Sequence, residues 1–157
     1  MMLHRVFGFM MLFAVLIAGC DINGVSDTYS KLDSDGWNES SVQRFTFEIN
    51  EPNVLHNVWL KIRNDNSYSY SNLWLFVQYV PPSGEAVTDT VQILMADSRG
   101  RWLGKGFSGV FENRFALRQQ VYFQEKGTYS LEIKHGMRTP TLKGISHVGL
   151  RVESVSN

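Results

Sequence analysis

Apolar and polar residues alternate along most of the chain after residue 41, which is typical of strands with one buried and one wet face. The alternation is clearest in four stretches: Phe45–Ile49, Val58–Ile62, Tyr129–His135 and Val148–Val152. Leu73–Val80 is apolar at most of its odd-numbered and even-numbered positions. Its aromatic and β-branched residues ahead of Pro81-Pro82 favour a central strand over a short helix. These patterns predict five strands.

Two further stretches bring the number of located strands to seven. Residues 87–96 place Val91, Ile93 and Met95 on one face, and residues 115–123 form a less regular strand. Turn residues separate the strands, and no long stretch keeps a 3.6-residue period, which disfavours α/β folds. About eight strands at this spacing predict an all-β fold, an antiparallel β-sandwich of jelly-roll-like arrangement.

The N-terminus has the three-part layout of a secretory signal. Met1–Arg5 is weakly basic, Val6–Ala18 is apolar apart from Gly8, and Ala18-Gly19 provides small residues for cleavage. The apolar run is shorter than the roughly 20 residues that a helix needs to cross a bilayer. We therefore expect a cleaved signal and not a permanent transmembrane helix.

Cys20 is the single cysteine of the chain, so it has no internal disulfide partner. Ile17-Ala18-Gly19-Cys20 resembles a bacterial lipobox. Such signals imply a diacylglycerol thioether on Cys20, cleavage after Gly19 and an acyl chain on the new amine. The alternative is an ordinary signal peptide with an incidental cysteine. Apart from this covalent lipid, no cofactor is expected.

The domain organisation follows from these segments. Residues 1–19 are predicted to be a lipoprotein signal peptide, residues 20–41 a polar, lipid-anchored tether, and residues 42–157 a single β-sandwich domain. Lys and Arg total 15 and Asp and Glu total 15, and removing the signal takes away only Arg5. A near-neutral chain gives no electrostatic reason to expect a nucleic-acid partner.

Candidate catalytic and metal-binding patterns are weak. His56, His135 and His147 lie on separate predicted strands without the short-range pairing of zinc ligands, and His135 shares the parity of a buried face. Asp33-Ser34-Asp35-Gly36 is similar to the start of a calcium loop but lacks the later ligands. No nucleophile elbow or phosphate loop is present. We predict neither catalytic residues nor a metal site, with a hydrolase as the least favoured interpretation.

Aromatic residues lie at or beside predicted loops: Tyr68, Tyr70, Trp74, Trp102 and Phe107. Such rings either form a contact surface for a sugar or a protein, or cap the open ends of a sandwich. For Trp74 the packing role is favoured.

Several segments together resemble the GldH gliding-motility lipoproteins of the Bacteroidetes. They are the lipobox, RNDNSYSYSNLWLF (63–76), DSRGRWLGKGFSGVFENRF (97–115), GTYSLEIKHGMR (127–138) and GISHVGLRVE (144–153). The resemblance implies an envelope lipoprotein associated with gliding and with the type IX-type protein secretion machinery, without established catalytic residues. Where relatives often carry an aspartate soon after the glycine, this chain has GFSGVFEN, which leaves the role of that loop open.

The preferred functional surface is the loop Arg99–Asn113. It combines aromatic and cationic groups of the kind enriched at interface hot spots, namely Arg101, Trp102, Lys105 and Phe107. The resulting hypothesis is a non-enzymatic, periplasm-facing lipoprotein that docks to envelope proteins, with the choice of inner or outer membrane open. The alternative is a lipid-anchored carbohydrate-binding sandwich of a glycan-uptake system, using Trp102, Tyr68 or Tyr70 for stacking.

Overall fold

The computed structural model describes residues 24–155, and all regular structure in this range is β-strand. The predicted signal peptide and Cys20 lie outside the described residues. The strands are β1 Gly24–Lys31, β2 Trp37–Asn38, β3 Gln43–Ile49, β4 Leu55–Asp65, β5 Asn72–Val80, β6 Val87–Leu94, β7 Lys105–Phe107, β8 Val110–Tyr122, β9 Gly127–His135, β10 Thr141–Leu142 and β11 Ile145–Ser154. In this part of the chain there is consequently no apolar helix of membrane-spanning length.

The strands form two antiparallel sheets and a small ribbon. One sheet has the order β1-β11-β4-β8-β7, the other has the order β3-β9-β5-β6, and β10 pairs with β2. Three strands are short, β2, β7 and β10. Numbered one to eight along the chain, the remaining long strands have the orders 1-8-3-6 and 2-7-4-5. This is the double Greek key of a jelly roll, which confirms the predicted fold class.

Alternating side chains from the two sheets build one hydrophobic core. In β3 every second residue is buried, with Phe45, Phe47 and Ile49 inside, as the alternation predicts. Leu60 and Leu150 enter the same core from the opposite sheet. Burial at roughly 25 cal/mol per Å² of apolar surface is the main stabilising contribution in such a sandwich, because residues 24–155 contain no cysteine that could form a disulfide.

The tether predicted for residues 20–41 is wrong for residues 24–41. Gly24–Lys31 is the edge strand β1, paired antiparallel with β11, and Leu32 and Trp37 are buried in the core. This strand cannot be recognised from the sequence, because it lacks the alternation of apolar and polar residues. Its outward side chains, such as Asp27 and Tyr29, contact charged groups and not an apolar surface.

Part of the predicted loop 99–113 is also regular structure. Lys105–Phe107 and Val110–Glu112 form a β-hairpin around Ser108-Gly109. Both turn residues have positive φ, 56° and 84°, which is the geometry of a tight type I′ hairpin turn. At Gly106 a Cβ atom would lie 2.0 Å from the Val110 carbonyl oxygen, so this strand position requires glycine.

Candidate functional site

The two ends of the sandwich are chemically different. One end carries Gly24 and the connections at residues 50–54, 81–86 and 123–126; we call it the Gly24 end. The other carries the connections at residues 66–71, 95–104 and 136–144 and the tip of the β7–β8 hairpin; we call it the Phe107 end. Strand β4 runs between them, and its 11 residues span roughly 35 Å.

Phe107 is the most exposed large apolar side chain at the Phe107 end. It is 91% exposed, and Val110, its partner across the hairpin, is also exposed. Leu103, four residues earlier, adds a further exposed apolar group. Because the turn and Gly106 define the hairpin backbone, Phe107 and Val110 are presented on paired strands and not on an irregular loop.

Trp102 packs between the buried Tyr68 and Phe111 of the hairpin. Its indole Nε1–H donates to Asn66 Oδ1 at 2.9 Å, and its ring centroid lies 6.2 Å from that of Tyr68 and 6.1 Å from that of Phe111. Tyr68 is buried, with its hydroxyl donating to the Asn72 carbonyl at 2.7 Å. Tyr68 is therefore part of the core, and its proposed role as a sugar-stacking platform is wrong.

The two cations of the predicted surface have different surroundings. Arg101 pairs with Asp97, whose Oδ2 accepts from Nε at 2.8 Å, and Oδ1 of the same carboxylate accepts the backbone N–H groups of Arg99 and Arg101. These hydrogen bonds, led by the one from the Arg101 backbone, hold the pKa of Asp97 below its usual value. Lys105 is exposed in β7, opposite Glu112, which pairs with Arg63. Lys105 thus contributes more to the surface charge than Arg101 does.

The structure brings the four predicted residues to one end of the molecule, but in unequal roles. Phe107 and Lys105 are exposed, Arg101 is held by Asp97, and Trp102 is half-buried as a support. The sequence could not separate these roles, because the distinction depends on which side of the hairpin faces the core. Tyr70, also exposed, has its hydroxyl 2.5 Å from Thr139 Oγ1 at the same end.

A second exposed patch lies on the outer face of the β3-β9-β5-β6 sheet. Trp74 and Phe76 of β5 are 39% and 36% exposed, and Leu94 of β6 is more so. Lys134 lies over the Phe76 ring at 5.6 Å from its centroid. The packing role favoured for Trp74 is therefore wrong. The apolar character of β5 on both parities indicated this patch, because an antiparallel sheet normally leaves one face to solvent.

The three strand histidines lie in three separate environments. His56 contacts Phe123 at the Gly24 end, His135 contacts Trp37 in the core, and His147 contacts Tyr29 on the outer face of the first sheet. Burial lowers the pKa of each of them. Among residues 24–155, no group of three or more His, Cys, Asp or Glu side chains could hold a metal ion.

Asp33–Gly36, the residues that are similar to the start of a calcium loop, form a turn. Gly36 donates its backbone N–H to the Asp33 carbonyl at 3.1 Å and has a φ of 119°. Asp33 and Asp35 are exposed on this turn. Arg151 pairs with Glu153 and also with Asp27.

Known proteins resemble this chain along most of its length. The family model of the GldH lipoprotein matches residues 24–152. A gliding motility lipoprotein GldH homolog from Christiangramia forsetii is 32% identical over 150 residues, covering 91% of this chain and 91% of that protein. The gliding motility lipoprotein GldH of Flavobacterium johnsoniae is 32% identical over 153 residues, covering 93% of this chain and 94% of that protein.

Similarity to solved structures is much weaker. The infectious bursal disease virus VP2 subviral particle gives a TM-score of 0.36 at 14% identity, covering 82% of this chain and 30% of that chain. Dimeric latent PorU from Porphyromonas gingivalis gives 0.36 at 9% identity, covering 85% of this chain and 13% of that chain. Neither likeness bears on function. The family match and the two relatives confirm the resemblance drawn from the sequence: this chain belongs to the GldH lipoprotein family.

Proposed function

We propose that this protein is a non-catalytic, membrane-anchored component of the gliding-motility and type IX-type secretion machinery that docks to other envelope proteins. Its family membership and the names of its two relatives support the motility context. The anchor is the diacylglycerol and N-acyl lipid on Cys20, and the sandwich faces the periplasm. This lipid anchor confines the domain to the membrane plane, which raises its effective concentration near membrane partners.

The observation that carries the docking proposal is the position of Phe107. An almost fully exposed aromatic ring on a rigid hairpin is costly to leave in water, and exposed apolar groups of this kind are enriched at protein interfaces. It lies at the end opposite to Gly24, so it points away from the lipid anchor. Lys105 beside it supplies charge for orientation, and Trp102 holds the hairpin in place.

The test is crosslinking in intact cells followed by pull-down of the full-length lipoprotein. Phe107→Ala removes the exposed ring without touching the core, and we expect at least a tenfold loss in recovery of motility or secretion proteins. Tyr122→Ala is the matched control, since it removes another exposed aromatic side chain at the opposite end. Equal recovery with both variants, or recovery of glycan transporters alone, would refute docking through the Phe107 end.

The lipid anchor is tested separately. Mass spectrometry of the N-terminal peptide is expected to find the lipid on Cys20. Replacing residues 1–20 with a secretory signal that is cleaved without lipidation is expected to release the protein from membranes, whereas Cys20→Ser alone would leave the apolar signal uncleaved. Protease added to intact cells is expected to spare the domain, and protease added after opening the outer membrane is expected to cleave it. A bare thiol, or cleavage in intact cells, would contradict the anchor or the orientation.

A second candidate function is glycan binding on the outer sheet face. Trp74 and Phe76 lie two residues apart on β5, with the polar side chains of Gln78 and Gln92 nearby, which suits stacking of a sugar ring. Titration with glycans while recording tryptophan fluorescence tests this candidate. Saturable quenching that Trp74→Ala abolishes and Trp102→Ala preserves would support it, and a flat titration would refute it.

A further inference from the structure

A cleft between the two sheets opens at the Gly24 end and has no role in the docking function. It has a volume of about 480 Å³, within the usual range for small-ligand sites. Both sheets contribute its walls, which are aliphatic and aromatic. The main lining residues are Val58, Val77, Tyr79, Val91, Leu117 and Phe123.

The cleft exists because two strands face each other there without hydrogen bonds. Strand β6 is the edge of one sheet, and β7 covers β8 only at residues 110–112. The rest of β8 is therefore a second open edge. Near the Gly24 end β8 is also bulged: its register with β4 shifts around Val58, and Gln120 has a φ of 50°. Such bulges bend a strand, which here separates the two edges.

The Tyr129 hydroxyl in the cleft is already engaged. The Tyr129 hydroxyl donates to the Glu125 carbonyl at 2.8 Å and accepts from the Glu125 backbone N–H at 3.2 Å. Burial raises the pKa of Tyr79, so its hydroxyl stays neutral. Because most of the wall of the cleft is apolar, an apolar ligand gains free energy by covering it.

The charges at the mouth disfavour an anionic ligand. Arg118 is the one cation among the lining residues, and it is paired with Asp89 across the two edges. Glu125 adds a second acid, and its Oε2 accepts from the Ser83 hydroxyl at 2.5 Å. The mouth thus carries one more negative than positive charge. A fatty carboxylate would be repelled, whereas an esterified or amide-linked acyl chain would not.

The cleft also lies within reach of the membrane. Gly24 is at the same end of the first sheet as the terminus of β8, and three strand spacings between them amount to about 14 Å. The four residues from Cys20 to Gly24 extend at most about 14 Å. If Cys20 carries the proposed anchor, the mouth of the cleft is held close to the bilayer surface.

We propose that this inter-sheet cleft binds one lipid acyl chain that is part of a neutral ester or amide. The inference that the acyl chain comes from the membrane rests on the proposed function, because it requires the anchor at Cys20. The inference that an acyl chain binds rests on the cleft alone. Two sources share this chemistry, a lipid of the adjacent leaflet and an acyl chain of the protein's own Cys20.

Photocrosslinking of the full-length lipoprotein in phosphatidylethanolamine nanodiscs tests the proposal. Part of the phosphatidylethanolamine carries a diazirine in its acyl chain, and peptide mass spectrometry locates the adducts. We expect adducts on lining residues of β6 and β8. If they form only when cells are grown on diazirine fatty acid, so that the protein's own anchor carries the probe, the source is Cys20. The proposal would be overturned if, with either source of the diazirine probe, adducts formed only on residues 20–23 and on exposed residues outside the cleft.

Neighbouring substitutions on β6 provide the control. Val91→Trp fills the cleft and is expected to reduce the lining adducts at least tenfold, whereas Gln92→Trp points outward and is expected to leave them unchanged. Equal labelling of both folded variants would overturn the assignment to the cleft. If Val91→Trp does not fold, the adduct map of the unmodified chain decides alone.

A detergent-free assay separates this proposal from the anchor. The chain secreted with a signal that is cleaved without lipidation, and therefore lacking the anchor, is labelled in solution with diazirine monoacylglycerol or diazirine palmitate. The neutral ester is expected to label the lining residues several-fold more than the carboxylate. Labelling here would support the cleft even if Cys20 proved unmodified in cells, and no labelling by either probe would overturn it.

Discussion

His135 makes the stability of this fold sensitive to mild acid. Its ring is buried against Trp37, and neither ring nitrogen has a hydrogen-bond partner within the described residues. Desolvation lowers its pKa below the ordinary value of about 6.5, so the unfolded chain binds the proton more readily than the folded chain. The free energy of unfolding is therefore constant at higher pH and falls as the pH drops below about 6.5.

We expect His135→Phe to reduce this dependence. Between pH 7 and pH 5 a single titrating site changes the free energy of unfolding by at most about 1.4 kcal/mol per pH unit, and His56 and His147 shift in the same direction. Urea unfolding at several pH values measures the slope. The lowered carboxyl pKa values of Glu112 and Glu153 affect stability only below about pH 4.5, so these groups contribute little to the slope between pH 7 and pH 5. An unchanged slope in the variant would contradict the assignment.

At the scale of the element, strand β1 is held by charges that its sequence does not reveal. The Lys61 ammonium is buried, paired with Asp27 of β1, and lies 4.0 Å from the centroid of the Tyr29 ring. Arg151 of β11 also pairs with Asp27 at 3.1 Å. Partial burial favours the neutral form of Asp27, but the hydrogen bonds from Lys61 and Arg151 outweigh it and lower the pKa.

Removing Asp27 is expected to destabilise the sandwich more than removing Lys61. Asp27→Ala leaves a buried ammonium without its partner, which costs about 2 kcal/mol once the partial exposure of the carboxylate is considered. Lys61→Met keeps the buried stem and removes the charge, so the double variant should regain most of the loss. Chemical denaturation of the single and double variants gives these values. If Asp27→Ala proves neutral, β1 is held by its backbone pairing alone.

The same strand shows where prediction from the sequence succeeds and fails. Alternation at Phe45–Ile49 and Tyr129–His135 predicts β3 and β9, because burial of one face dictates a two-residue period. Strand β1 has no such period, since its neighbours on the outer face are ionic. The β7–β8 hairpin depends on two positive φ angles at Ser108-Gly109, and glycine-rich sequence indicates a turn without specifying the strands around it.

At the scale of the whole molecule, the sequence locates seven of the eight long strands, all except β1, which is enough to predict the jelly roll but not the placement of its functional groups. Phe107, Lys105 and Trp102 come together as expected, yet their distribution between exposed and supporting roles depends on hairpin orientation. The cleft near Val91 and Leu117 is invisible in sequence, because it results from the pairing of strands far apart in the chain.

The opposite ends of the sandwich give a prediction about its orientation at the membrane. The chain's single cysteine is Cys20, so once its thiol carries lipid, a new cysteine is the one reactive site. Tyr122→Cys and Phe107→Cys, each labelled with a fluorophore in nanodiscs containing a nitroxide lipid, report the two ends. Because β4 separates them by roughly 35 Å and nitroxide quenching is short-ranged, we expect strong quenching at position 122 and little at position 107. Equal quenching would mean that the sandwich lies flat on the bilayer, which would leave the hairpin unable to reach a partner above the membrane.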